Sequence, residues 1–243
     1  APGTTTFSGT VGATNALANL TTDAAGSTAS AGAPIVVTTG VQTYNDPVTL
    51  SGSTAFQGPN TIFNNTVDDD DTTPSGELVL IIPAAGEATL NGVVGGTHAM
   101  IEVVDANTTG TININNDVTT GNNQTYDTAV VLGADVKITS SSTVAFNNTV
   151  DSDGTPRALT VESTVDNVLF GQAVGDTDPL ASLNSTAGTR IDINDANGVT
   201  TTGAQTYSGT ANFGAPATLT GTDLTFNDDL TNAPATLNGS GTT

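Results

Sequence analysis

The side chains best placed to do chemistry in this sequence are carboxylates. Asp68, Asp69, Asp70 and Asp71 stand in a row, Asp151 and Asp153 follow a similar block further on, and Asp176 and Asp178 lie one further segment along the chain. Clustered carboxylates with nearby turn carbonyls supply the roughly six to eight oxygens that calcium prefers. Calcium is therefore the one ion these residues suggest as a possible ligand, and no cofactor is required. The competing reading is a set of solvated turns. Equivalent positions in other parts of the chain favour it: Asp178 is matched by Asn15 and His98, and Asp176 by Ala13 and Gly96. A site built into every repeat would hold its ligands more strictly.

Other chemistry is sparse. His98 is the only histidine and there is no cysteine, so a zinc site lacks ligands. Asp192 and Asp195 could act as an acid and base pair, but similar pairs recur along the chain. The only basic residues, Lys137, Arg157 and Arg190, share no motif. The expectation is that the protein is not an enzyme. Asn64, Asn107 and Asn147 head Asn-x-Thr sequons, which arise easily in so asparagine- and threonine-rich a chain.

Charge narrows the partners. Twenty-four acidic residues against three basic ones give a net charge of -21. Binding to a phosphate backbone needs clustered Lys and Arg, so nucleic acid is excluded as a partner. Electrostatic adhesion to anionic lipid is disfavoured on the same ground. No apolar run approaches the roughly 20 residues of a membrane span, so membrane insertion is not expected. The opening Ala1-Pro2-Gly3-Thr4 lacks the basic and apolar regions of a signal peptide. A leader already removed, or a piece of a longer protein, would each account for that.

The elements that must position these groups are strands. Threonine is the commonest residue, glycines number 27, and aromatics make up 4%. Threonine suits a pleated, half-buried surface, and good helix formers are scarce. Ile112-Asn113-Ile114 and Ile191-Asp192-Ile193 alternate apolar and polar residues, which turns one face inward. Leu78 to Ile82 is a continuous apolar run closed by Pro83, fit for a strand buried on both faces or under a neighbour.

The sequence also repeats. Gln-Thr-Tyr begins at Gln42, Gln124 and Gln205, nearly equal intervals, and these blocks hold all three tyrosines. Phe63-Asn64-Asn65-Thr66-Val67 and Phe146-Asn147-Asn148-Thr149-Val150 follow two of them, with a looser copy from Phe226. A Val-Gly block recurs at Val11, Val94 and Val174. Repeat units run approximately over 1–40 (partial), 41–122, 123–203 and 204–243 (partial), inside one continuous array over 1–243. The phenylalanine that follows each tyrosine, at Phe63, Phe146 and Phe226, comes about a quarter of a unit later. One unit therefore divides into four segments, each the length of one coil of a β-solenoid, in which successive coils pair in parallel. The expected fold is all-β, a parallel solenoid of about twelve coils. Tyr44, Phe63, Tyr126, Phe146, Phe170, Tyr207 and Phe226 then form interior ring stacks; outward rings binding sugars are the alternative.

Gln205-Thr206-Tyr207-Ser208-Gly209, Ala217-Thr218-Leu219-Thr220-Gly221, Phe226-Asn227 and the run Phe170 to Leu183 resemble repeats of large bacterial surface exoproteins. These are the filamentous-haemagglutinin-like and autotransporter-like adhesins. The resemblance implies a right-handed β-solenoid secreted across the outer membrane to the bacterial cell surface, acting as stalk, adhesin or biofilm matrix fibre. A secretion-recognition domain, translocator barrel and binding tip are not recognisable, so a stalk is the first expectation. The position of Leu237 relative to Phe7 nearly matches that of Leu159 relative to Phe170, and neither end looks capped. Copies stacked head to tail, or a longer parent chain, would explain this. An adhesin module contacting glycans or a host surface is the second expectation. An ice- or mineral-binding solenoid is the third, weakened because Thr38-Thr39, Thr119-Thr120 and Thr201-Thr202 recur once per unit rather than once per coil.

Overall fold

A computed structural model describes residues 2–32, 34–70, 75–100, 102–105, 109–232 and 236–240. The described residues form β-strands and no helix. Every registered strand pair is parallel, as threonine- and valine-rich strands joined by short corners allow. The chain divides into two compact units, Ala1–Asn122 and Asn123–Thr243.

In the first unit the chain winds round three sides. One side stacks Thr5, Thr28, Val48, Val67, Val94 and Val118 in successive coils. The next stacks Val11, Val36, Phe56, Leu80 and Asp105. The third stacks Leu20, Gln42, Thr61, Ala88 and Ile112. Alternation decides which residues face in: in Val41–Tyr44 the glutamine and tyrosine are buried and their neighbours half-buried. The run at Leu78 obeys the same rule rather than being buried on both faces. Leu78, Leu80 and Ile82 are fully buried, while Val79 and Ile81 are half-buried.

The second unit repeats the architecture. Its sides stack Gln124, Val144, Val168, Ile191, Ala211 and Leu230; Val130, Val150, Val174 and Val199, followed by Leu219 and Leu237; and Val136, Leu159, Leu183, Gln205 and Leu224. The strand Ser182–Ile193 turns a corner within itself. It pairs with Ala158–Ser163 and then with Asn167–Phe170, and its pairing with Gln205–Phe213 on the other edge shifts register between Thr186 and Arg190.

Each unit completes little more than five coils, so the chain has about ten rather than twelve. The reason is coil length. The coil from Val48 to Val67 is short, and the next one, from Val67 to Val94, is longer by nearly half. Where loops are inserted at corners, a fixed spacing fails.

A second difference concerns the repeat itself. Val11 and Val94 head the same block, yet they stand on different sides of the first unit. Three coils from Val11 lead to Leu80, and two further sides lead to Val94. Tyr126 and Tyr207 behave alike in the second unit. Tyr126 shares its side with Phe146, Phe170, Ile193 and Phe213, whereas Tyr207 shares its side with Ile138, Val161, Ser185 and Phe226. One interval between matching blocks therefore spans three coils and two sides, not four coils.

Candidate functional site

Three recurring corners carry the polar chemistry. The first is built by Gln-Thr-Tyr. Gln42, Gln124 and Gln205 are fully buried, as are Tyr44, Tyr126 and Tyr207. Each tyrosine hydroxyl donates to the glutamine two residues before it, at 2.9, 2.8 and 2.8 Å. Each glutamine amide donates to a carbonyl 15 residues on, Gln57, Thr139 and Thr220, all at 2.8 Å. A buried polar group costs about 1–3 kcal/mol when left unpaired, so this closure lets a polar side chain sit in the core. Burial pushes the Tyr44 and Tyr207 hydroxyls well above the ordinary phenol pKa. The rings continue the core upward. Tyr44 stacks on Phe63 at 5.0 Å, Tyr126 on Phe146 at 5.1 Å, Phe146 on Phe170 at 5.6 Å and Tyr207 on Phe226 at 5.1 Å. Phe56, which had no place in the sequence-based stack, meets both Tyr44 and Phe63 edge-on. Phe213 is a further buried ring that the spacing missed.

The second corner is built by Phe-Asn-Asn and its relatives. The first asparagines form a ladder in the first unit: Asn64 donates to Asn45, Asn91 to Asn64 and Asn115 to Asn91, at 2.8, 2.8 and 2.6 Å. The second asparagine accepts from the next backbone amide, Asn65 from Thr66 and Asn148 from Thr149, both at 2.9 Å.

The third corner is the Val-Gly loop, and here the aspartates appear. Gly12, Gly95 and Gly175 have φ near +70°, and a Cβ at Gly175 would lie 2.2 Å from the Thr200 carbonyl oxygen. Only glycine fits there. In the second and third copies an aspartate from the preceding coil holds the loop. Asp68 accepts from the Thr97 amide at 2.9 Å, and Asp151 from the Thr177 and Asp178 amides at 3.0 and 3.3 Å. Asp69 is buried and accepts from the Ser75 and Gly76 amides. Asp153 pairs with Arg157 at 2.8 Å, and that guanidinium holds its carboxyl below the usual carboxylate range. Asp176 accepts from the Asn197 side chain at 3.4 Å, and the Asp178 carbonyl accepts from the Ser152 amide at 3.0 Å. Asp70 is exposed, and Asp71 lies outside the described residues. No group of three or more acidic or histidine side chains among the described residues is gathered as a metal site.

Several other titratable groups have structural partners. The His98 ring lies 3.4 Å from the Asp69 carbonyl. Asp192 is buried beside Arg190 at 2.8 Å, while Asp195 accepts from the Asn197 amide at 2.8 Å. Lys137 meets Glu162 at 2.9 Å, so all three basic residues engage carboxylates. Two buried carboxylates, Asp46 and Asp105, escaped the sequence reading. Asp46 is buried with one oxygen taking hydroxyl bonds from Thr22 and Thr28, at 2.6 and 2.9 Å.

A polar depression in the first unit is lined among others by Glu87, Thr109, Thr111 and Asn113, with Asn113 donating to Glu87. The first and last described coils are less covered: Leu230 and Leu237 are 48% and 47% exposed, Leu17 is 36% exposed, and Leu20 and Leu224 are half-buried. No protein-family model, no curated protein and no solved structure matches this chain.

Proposed function

We propose that this chain is a structural segment of an extracellular fibre or stalk on a bacterial surface, winding as one right-handed parallel solenoid and continuing head to tail. The observation that supports it most is the way the interior is closed. Each Gln-Thr-Tyr corner satisfies its own polar groups, and parallel backbone bonds run from coil to coil. Right-handed winding is the common sense for parallel strands joined by crossovers. The carboxylate-rich exterior keeps neighbouring fibres apart, and calcium is the ion that would bridge their outward aspartates. No catalytic role is part of this reading.

Mechanical load is the discriminating measurement. The chain is placed in a polyprotein beside a helical bundle and pulled. Unfolding forces well above those of the bundle are expected, because each coil is held to the next by parallel ladders of backbone bonds on every side. Forces no higher than the bundle's remove the load-bearing reading. The depression at Glu87 and Asn113 favours one second reading, an adhesin module binding surface glycans through amide, hydroxyl and carboxylate groups. A glycan array in which the wild type binds and Asn113→Ala does not would replace the first reading with that one.

A further inference from the structure

Asp46 carries a carboxylate into the interior of the first unit and leaves half of it unanswered. The residue is 1% exposed. Its Oδ1 accepts from the Thr22 and Thr28 hydroxyls, and its Oδ2 is enclosed with no hydrogen-bond donor among the described residues. The sequence explains why this side chain turns inward. At the same corner of the next coil, between the pairs Tyr44 with Phe63 and Val48 with Val67, Asn65 accepts from the Thr66 amide. Asn116 and Asn148 accept in the same way from the Asp117 and Thr149 amides. Asp46 is followed by Pro47, which has no N–H to offer. The corner of the preceding coil supplies hydroxyls instead, and it is held in place by the Thr28 amide donating to the Pro47 carbonyl at 2.8 Å.

A charge taken out of water is paired or coordinates a metal ion, because leaving it alone in an apolar interior costs too much. No side chain of the first unit supplies the opposite charge. Residues 1–122 contain no lysine or arginine, and their single histidine, His98, lies 3.4 Å from the Asp69 carbonyl. Lys137, Arg157 and Arg190 belong to the second unit, and each engages a carboxylate there. We infer that Asp46 Oδ2 binds a monovalent cation, of the sodium or potassium kind, inside the first unit. Carboxylate and hydroxyl oxygens are the donors that such hard ions take. One carboxylate and one monovalent ion leave the interior neutral. A divalent ion would leave a net positive charge, since Asp23, the acid on the corner that holds Thr22 and Thr28, is exposed. The other two Gln-Thr-Tyr corners need no ion, because the position of Asp46 is taken there by Thr128 and Gly209. This interior ion is separate from any calcium that bridges outward aspartates, and it does not depend on the chain forming a fibre.

Urea unfolding of the whole chain in chloride salts tests this. Sodium or potassium replaces tetramethylammonium stepwise at one ionic strength and neutral pH. All three cations screen the acidic surface, but the methyl groups of tetramethylammonium keep its charge from a carboxylate oxygen and make it too bulky for an enclosed site. For one ion bound only by the folded state, each tenfold rise in free ion above its dissociation constant raises the folding constant about tenfold. The wild-type midpoint should therefore climb with sodium, with potassium or with both, and the steeper climb identifies the preferred ion. Asp46→Asn keeps an oxygen for the Thr22 and Thr28 hydroxyls and removes the charge. Asp46→Thr installs the residue of the second corner, and serves where the first variant does not fold. In either variant the midpoint should stay level across the series. Equal wild-type midpoints in all three salts overturn the inference and leave a proton to neutralise the carboxyl. An equal climb in the wild type and a folded variant also overturns it, because the ion would then act elsewhere.

Discussion

Tyr126 and Tyr207 sit in two copies of one three-residue block, both within the second compact unit, yet they live in different surroundings. Both hydroxyls donate to their own glutamine at 2.8 Å, and both glutamines reach a carbonyl 15 residues on at 2.8 Å. Beyond those bonds the neighbourhoods part. Tyr126 starts a column of rings that continues through Phe146 and Phe170, whereas Tyr207 lies over Ser185 and beneath a half-exposed Phe226. The corner is thus specified locally, by residues two apart. The side of the solenoid it occupies is set by the count of sides between one block and the next. A repeat of three coils and two sides hands each successive block to a different face.

The largest expected effect separates the two columns. Phe146 is fully buried between Tyr126 and Phe170, so Phe146→Ala removes two stacked contacts and leaves a cavity. Truncations of this kind cost about 3–5 kcal/mol. Phe226 has a ring on one side only and is partly exposed, so Phe226→Ala should cost less than about 2 kcal/mol. Urea unfolding of the two variants at matched slope measures the difference. Equal losses would mean that the Tyr126 column is no better packed than the outermost coil, and the contrast between the two sides would fail.

A smaller effect should be the same on both sides. Gln124→Ala and Gln205→Ala each leave a buried tyrosine hydroxyl and a carbonyl without their partner. About 1–3 kcal/mol is expected for each variant, with the two values agreeing within about 0.5 kcal/mol if the corner is autonomous. Alkaline titration offers a second view at Tyr207. Burial raises its pKa, so the folded state keeps its proton while an unfolded phenol loses it near pH 10. The stabilisation is therefore complete below about pH 10 and lost as pH rises beyond it. Phenolate absorbance should appear together with the loss of circular dichroism. Ionisation of Tyr44 and Tyr207 well before unfolding would contradict their burial.

Much of this was legible in the residues, for identifiable reasons. The spacings from Tyr44 to Phe63 and from Tyr126 to Phe146 are true coil lengths, because no loop interrupts either stretch. Generalising them led to four coils per repeat, because loop-lengthened coils such as Val67 to Val94 carry no aromatic marker. A better gauge was present: Val11 to Val36, Val94 to Val118 and Val174 to Val199 each mark one complete coil, and all three are longer than the tyrosine spacing. The aspartates were harder. A carboxylate that binds a cation and one that accepts backbone amides read alike in sequence, and only the placement of the Thr97 and Thr177 amides tells what Asp68 and Asp151 do here. Asp46 gave no signal, since its partners Thr22 and Thr28 lie in the preceding coil, 24 and 18 residues away.

The smallest expected effect concerns the insert between Asp151 and Pro156, which lies on the path from the Tyr126 side to the Tyr207 side. If the count of sides alone assigns a block to its face, the insert lengthens one coil without altering that assignment, and its ion pair is dispensable. Asp153 and Arg157 are bound at 2.8 Å on the surface, with the carboxyl held low by the guanidinium. A depressed carboxyl pKa stabilises the fold above the unfolded value, near pH 4, and that contribution disappears as pH falls through the folded value. For so exposed a pair the contribution is small and screened by salt. Arg157→Ala should therefore return the Asp153 carboxyl resonance in an NMR titration to the ordinary carboxylate range while leaving the Tyr126 and Tyr207 ring signals in place. Displaced ring signals would mean that the insert helps to set the register, and the face of each block would then depend on more than the number of sides between them.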